Sequence, residues 1–216
     1  MSEPLTLDEL LTAHAAGRLP PPLALMAASH LALSPASRER YRSFEAAGGV
    51  LLERLEPASL APDAWQRLCA RLDDVPPEPV PPPRPVPKAM RRLPAPLRAV
   101  LPDSLDKLRW RGFGGVAEAV LDLRTPGFRT TLLRVRGGRA VPRHTHEGNE
   151  LTLVLEGSFH DELGRYVRGD LAITDPTVKH QPVADEGEDC LCLAVTDARL
   201  RLTGPLGRLL NPFMPS

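Results

Sequence analysis

The sequence predicts an α+β chain of two domains: a small N-terminal bundle of four helices, a proline-rich linker, and a C-terminal all-β barrel or sandwich. Three observations carry this. Apolar residues recur with a helical period in the first third of the chain. Ten prolines then fall between Pro76 and Pro96. Beyond them apolar and polar residues alternate between closely spaced turns. The expected divisions are 1–75, 76–98 and 99–216.

The first helix is announced by Thr6-Leu7-Asp8-Glu9, a capping box in which Thr6 and Glu9 satisfy each other's free amides. Leu7, Leu10, Leu11 and His14 share its face, and Gly17 stops it. A second helix starts near Pro21 or Pro22 and runs through His30 and Leu31. Ser34-Pro35 reads as a cap followed by proline at the first helical position. That third helix is expected to turn Tyr41, Phe44 and Ala47 inward and to break at Gly48-Gly49. A fourth, near Pro62 to Leu72, places Trp65, Leu68, Cys69 and Leu72 at core spacing. Four short helices make a marginal core, so such a unit borrows stability from a metal or a partner. The proline tract favours an extended, semi-rigid spacer.

Strands are expected at Leu108 to Phe113, Ala117 to Leu123, Phe128 to Val135, Leu151 to Leu155, Gly169 to Thr174, Val178 to Val183, Cys190 to Val195 and Arg199 to Leu202. Turns at Gly114-Gly115, Pro126-Gly127 and Gly137-Gly138 separate the first of them. Many short strands with frequent turns mean a sandwich or barrel.

Lysine plus arginine equals aspartate plus glutamate, 27 of each, which argues against direct nucleic-acid binding. Met1-Ser2-Glu3 does not open a signal peptide and no apolar run is long enough to span a bilayer, so the cytoplasm is the default location and no membrane partner is expected. Three cysteines, Cys69, Cys190 and Cys192, do not make a disulfide framework. Cys190 and Cys192 share a strand face; two buried small apolar residues is the favoured reading, ahead of a redox pair, because a disulfide between them would be strained. His160, beside Asp161 and Glu162, reads as solvated, and Arg91-Arg92 as linker charge.

The chemistry concentrates between Gly138 and Gly157. His144 and His146, two apart on a strand, aim their imidazoles at a common point, and Glu150 can join them after a short bend. His180 lies further on as a fourth candidate. Such a set suits a first-row divalent ion. Gly138, five residues, His144-x-His146, three residues, Glu150, six residues and Gly157 resemble the first motif of the cupin barrels without a gap. Gly169-Asp170 and His180 resemble the second, although Pro176 stands one place late, the inner glycine is absent, and Ala184 replaces the usual asparagine. The resemblance implies that His144, His146, Glu150 and His180 bind one divalent ion inside a C-terminal cupin (jelly-roll) barrel. Zinc is favoured by a nitrogen-rich set without thiolates; iron, manganese and nickel are compatible.

The order of parts narrows the resemblance. Leu10 to Gly17, Ala28 to Leu31, Glu150 to Gly157 and Asp189 to Ala194 are similar to the ChrR-type anti-sigma factors, over nearly the whole chain. This implies that the helical domain binds and inhibits an extracytoplasmic-function sigma factor, and that the cupin responds to an oxidative or chemical signal. That family's helical domain also holds zinc through an upstream histidine and His-x-x-x-Cys-x-x-Cys. Here His30 is present, but Ser34 and Ser37 occupy the cysteine positions and the upstream histidine is replaced near Leu5. A serine hydroxyl is a poor zinc ligand, so no N-terminal zinc is expected. The competing reading is a metal-dependent cupin enzyme, an oxygenase or isomerase acting on a small molecule; no acid–base dyad stands out to support it, and the question of catalysis leans against an enzyme. Some cupins pair through their barrels, which leaves a homodimer open.

Overall fold

The computed structural model describes residues 5–74, 85–198 and 200–202. Helix α1 (Leu7–Ala15) carries the capping box on Thr6, and Leu10 and Leu11 are fully buried. Helix α2 (Pro21–Leu33) follows, and α3 (Pro35–Glu53) is capped by Ser34, whose hydroxyl accepts from the Ser37 amide. The α3 helix runs straight through Gly48 and Gly49, against expectation. Each glycine costs about 1 kcal/mol relative to alanine but leaves every helical hydrogen bond possible, so two of them weaken a long helix without stopping it. Tyr41 and Phe44 are half-buried and Ala47 is exposed. The Tyr41 ring meets His14 of α1 at 5.5 Å, and Arg40 pairs with Asp8 at 2.8 Å.

Helix α4 (Ala64–Asp74) forms where expected, but its apolar face is not core: Trp65 is 71% exposed and Leu72 65%. Leu51, Leu52 and Leu55, at the end of α3 and just beyond it, are exposed as well. Spacing that marks an amphipathic helix does not say which molecule covers its apolar face.

The proline tract also departs from a plain spacer. Residues 75–84 lie outside the described residues. From there on, a 3-10 turn at Lys88–Met90 and a short helix α5 (Ala95–Val100) bury Met90, Leu93 and Leu97 almost completely. Pro94 caps α5 and Pro96 sits in its first turn, where a missing N–H costs nothing.

Eleven strands are formed among the described residues: β1 (Arg111–Phe113), β2 (Val116–Val120), β3 (Arg129–Val135), β4 (His144–His146), β5 (Glu150–Glu156), β6 (Ser158–Asp161), β7 (Gly164–Val167), β8 (Leu171–Thr174), β9 (Val183–Ala184), β10 (Cys190–Thr196) and β11 (Leu200–Leu202). A six-stranded antiparallel sheet has the order β1-β2-β3-β10-β5-β8; the facing layer consists of β7-β6-β9 and β11-β4. The stretch expected as a strand from Val178 to Val183 keeps only a bridge at His180 and the two-residue β9, because Pro182 lacks an amide for the ladder. The β6–β7 hairpin was not expected from the sequence. Its register joins Ser158 to Val167 and Asp161 to Gly164.

Helices and sheet share one apolar core. Alternate residues of the long sheet, among them Leu132, Leu151, Leu153, Leu155, Leu191, Leu193 and Val195, pack with Leu10, Leu25, Met26, Met90, Leu93 and Leu97. Each such side chain contributes roughly 1.5–3 kcal/mol by leaving water. The opposite parity, with Val135, Val154, Cys190 and Cys192, faces the barrel interior. Strand β10 is consequently buried at six consecutive positions.

His30 ties the two parts together. Its Nδ1–H donates to the carbonyl of Gly169 at 3.0 Å, and Nε2 accepts from the Ser37 hydroxyl at 2.7 Å. A carbonyl can only accept, so the tautomer is determined by its neighbours. Burial holds the His30 imidazole below its usual pKa and keeps it neutral near pH 7.

Leu97→Ala should destabilise the whole chain by about 2–5 kcal/mol in denaturant unfolding, as expected for a cavity in a shared core. A change confined to a local transition would show that α5 is only a surface decoration.

Candidate metal centre

His144 and His146 point to one side of β4 and are almost fully buried. The chain then bends over three residues and enters β5 with Glu150 at the same parity. The bend needs Gly148, since a Cβ there would collide with the Asp197 carboxylate. That carboxylate accepts from the Asn149 amide at 2.7 Å and from its side-chain Nδ2 at 3.0 Å, holding the bend closed. His180 arrives from the other side of β4, through a backbone bridge to His144.

The four expected residues therefore meet. One donor atom from each of His144, His146, Glu150 and His180 lies within 4.8 Å of all the others. His144 Nε2 and His180 Nε2 are 3.1 Å apart. Glu150 Oε2 is 3.0 Å from His146 Nε2 and 3.6 Å from His180 Nε2. The proximity of Glu150 to His146 lacks the direction of a hydrogen bond, and both nitrogens of His146 are buried without a hydrogen-bond partner.

The tautomers sharpen this picture. His144 Nδ1–H donates to the Pro142 carbonyl at 2.7 Å, so its Nε2 carries a lone pair. His180 Nδ1–H donates to Asp161 Oδ2 at 2.9 Å, so in the neutral ring its Nε2 does likewise. Two lone pairs, a carboxylate and an unpartnered imidazole then converge on one point. Only a proton or a cation relieves that arrangement, and three nitrogens with one oxygen suit a divalent metal. Burial pushes the His144 pKa down to about 4, which keeps that ring neutral and ready to ligate. Burial also opposes the charge on Glu150, but the neighbouring His146 and His180 nitrogens outweigh it and hold the carboxyl well below its usual range. For His180 burial disfavours the charged ring; Glu150 and Asp161 more than compensate and raise its pKa.

Asp161 escaped the sequence reading. Its carboxylate, 1% exposed, supports a ligand candidate nineteen positions downstream, and no periodicity links the two. Such carboxylate–histidine pairs orient metal ligands and raise their basicity. Only the β6–β7 hairpin, which places Asp161 at its turn, brings the two together. His160, expected in solvent, is half-exposed but pairs through Nδ1 with Asp185 at 2.7 Å on the outer surface.

A cavity of about 960 Å³ adjoins the cluster, lined by His144, Glu150, His180 and mostly apolar residues of the inner sheet face, with Phe113 at its rim. Cys190 and Cys192 line it too, buried, with their sulfurs 3.6 Å apart and no disulfide between them. The hydrogen bond with Cys190, burial and the Glu150 charge push the Cys192 thiol well up.

Residues 103–198 match the model of the ChrR cupin-like domain. Over 207 residues, 95% of each chain, the sequence is 42% identical to the anti-sigma-E factor ChrR of Cereibacter sphaeroides. The chain belongs to the ChrR family of anti-sigma factors. The crystal structure of Rhodobacter sphaeroides SigE in complex with the anti-sigma ChrR superposes with a TM-score of 0.74 at 40% identity, covering 88% of this chain and 97% of that one. An RmlC-like cupin protein from Ralstonia eutropha aligns with 48% of this chain and 72% of its own at 19% identity and a TM-score of 0.43. Among the described residues no helix is long and apolar enough to cross a membrane.

With a thiol reagent, the native chain should show one reactive cysteine, the half-buried Cys69, while Cys190 and Cys192 react only on unfolding. Two or three thiols titrating at once in the native protein would contradict their burial.

Proposed function

We propose that this chain is an anti-sigma factor that binds and inhibits an extracytoplasmic-function sigma factor, with a barrel metal centre that responds to an oxidative or chemical signal. What carries the reading is a likeness running through helices and barrel alike to a chain solved in complex with SigE. The exposed apolar residues of α4 and of the α3 terminus support it. Trp65, Leu68 and Leu72 of α4, and Leu51, Leu52 and Leu55 at the α3 terminus, are large apolar side chains that a monomer gains nothing by leaving in water. A sigma factor is the partner that this family membership suggests, and a cytoplasmic location goes with that reading.

In the barrel, His144, His146, Glu150 and His180 would hold the metal, with zinc favoured by a nitrogen-rich set. Such an ion supplies Lewis acidity and fixed positive charge. Around it His144 and His180 keep their lone pairs directed inward through Pro142 and Asp161, and Glu150 neutralises charge. In the helical segment His30 spends both ring nitrogens on hydrogen bonds, to Gly169 and Ser37, which supports folding there without zinc.

The cavity beside the cluster favours the competing reading of a small-molecule oxygenase or isomerase. Two experiments separate the readings. Co-expression with the sigma factor encoded nearest it should give a complex that co-purifies, and Trp65→Asp should weaken that complex at least 30-fold, about 2 kcal/mol, without changing the thermal midpoint of the free chain. No complex with any sigma factor, together with turnover of a diketone or similar substrate, would establish the enzyme. His144→Ala combined with His146→Ala should abolish stoichiometric metal in elemental analysis of the purified chain. Unchanged metal content would move the site elsewhere.

A further inference from the structure

The β6–β7 hairpin is fastened at both ends, once to the metal cluster and once to the helices. At its tip, Asp161 takes the His180 Nδ1–H on Oδ2 at 2.9 Å, while Oδ1 accepts from the amides of Leu163 and Gly164 at 2.8 and 3.2 Å. One carboxylate thus sets the direction of the His180 lone pair and clamps the turn. Past the end of β7, the Gly169 carbonyl accepts the His30 Nδ1–H at 3.0 Å. Gly169 has φ +95°, which favours glycine, and a Cβ there would stand in ordinary contact with Leu33, so the turn lies against the end of α2. Arg168 adds a hydrogen bond to the Arg92 carbonyl at 2.7 Å.

Between these anchors the hairpin is paired without a break. Its four strand pairs run from Ser158–Val167 to Asp161–Gly164, and the Phe159 and Tyr166 rings stack at 4.8 Å. The Gly169 amide also donates to Val154 of β5 at 2.9 Å, so the exit of the hairpin is tied to the strand that carries Glu150.

We propose that this hairpin is the element coupling the metal centre to the helical segment, with Asp161 and His30 as its two positioning residues. The proposal rests on the metal reading of the barrel site. When His180 Nε2 is engaged, its Nδ1–H becomes a stronger donor and Asp161 is held more firmly. When it is not, that polarisation is lost, and the hold of Asp161 on the ring and the turn weakens. At the other end, the Gly169 carbonyl holds His30, which is linked through Ser37 to the first turn of α3. The exposed apolar residues follow at the far end of that same helix. The hairpin therefore joins the two places where signal and partner would act.

Hydrogen–deuterium exchange on the full chain, with and without zinc, tests this. In the unaltered chain zinc should slow exchange in residues 158–170 and in residues 30–38. In His30→Ala, zinc affinity by chelator competition should stay within about twofold, as for distant sites, with slowing kept at 158–170 and lost at 30–38. In Asp161→Asn, affinity should fall about 10–100-fold, and zinc at saturation should slow neither segment. A merely structural lesion speeds exchange equally with and without zinc, so the zinc-dependent difference is decisive. Should Asp161→Asn fail to fold, His30→Ala alone decides. Zinc-dependent slowing at 30–38 that survives in His30→Ala, or that never occurs in an unaltered chain that binds zinc, overturns the coupling and leaves the metal site standing. An unaltered chain that takes up no zinc brings down the metal reading and the coupling with it.

Discussion

Burial of β10 on both faces is the constraint on which the rest depends. Leu191, Leu193 and Val195 can be covered only by something laid across the outside of the sheet, and α2 with α5 provides it. Cys190 and Cys192 can be covered only by closing the barrel, which the β7-β6-β9 layer does. Closing the barrel in turn brings His180 against His144. The apolar core and the polar cluster are thus two sides of the same strand arrangement, and a change in how the helices lie on the sheet is felt by residues one side-chain length from the cluster.

The cluster itself is shaped by what stands behind it. Each of His144 and His180 has a committed acceptor at Nδ1, a backbone carbonyl in one case and a carboxylate in the other. The difference is electrostatic: Pro142 contributes a dipole, Asp161 a full charge. The two rings therefore present Nε2 to the same point from differently charged supports.

Much of this was legible in the residues, and the parts that were not share a cause. Thr6 and Glu9, Ser34 and Pro35, and the paired His144 and His146 speak through local chemistry, and each appears where its spacing placed it. The cluster of His144, His146, Glu150 and His180 was legible because its motif spans only one strand, one bend and one bridge. What failed to show depends on contacts distant in sequence. Met90, Leu93 and Leu97 lie within or beside a proline tract whose composition masks them, and only the sheet surface makes them core. The α4 face looked like core because periodicity records amphipathicity and not the identity of the covering surface. Asp161 and His30 acquire their roles from partners nineteen and 139 positions away.

The Ser34–Ser37–His30 chain of hydrogen bonds carries a consequence for assembly. Ser34 donates to the Ser37 hydroxyl at 3.1 Å, and Ser37 donates to His30. Every group in it is neutral, is supplied within eight consecutive residues of the chain, and is available from the moment of synthesis. The junction between α2 and α3 is therefore closed by hydrogen bonds within one short stretch of chain. Its last partner, the Gly169 carbonyl, is made much later. Docking of the helices is thereby timed to completion of the barrel.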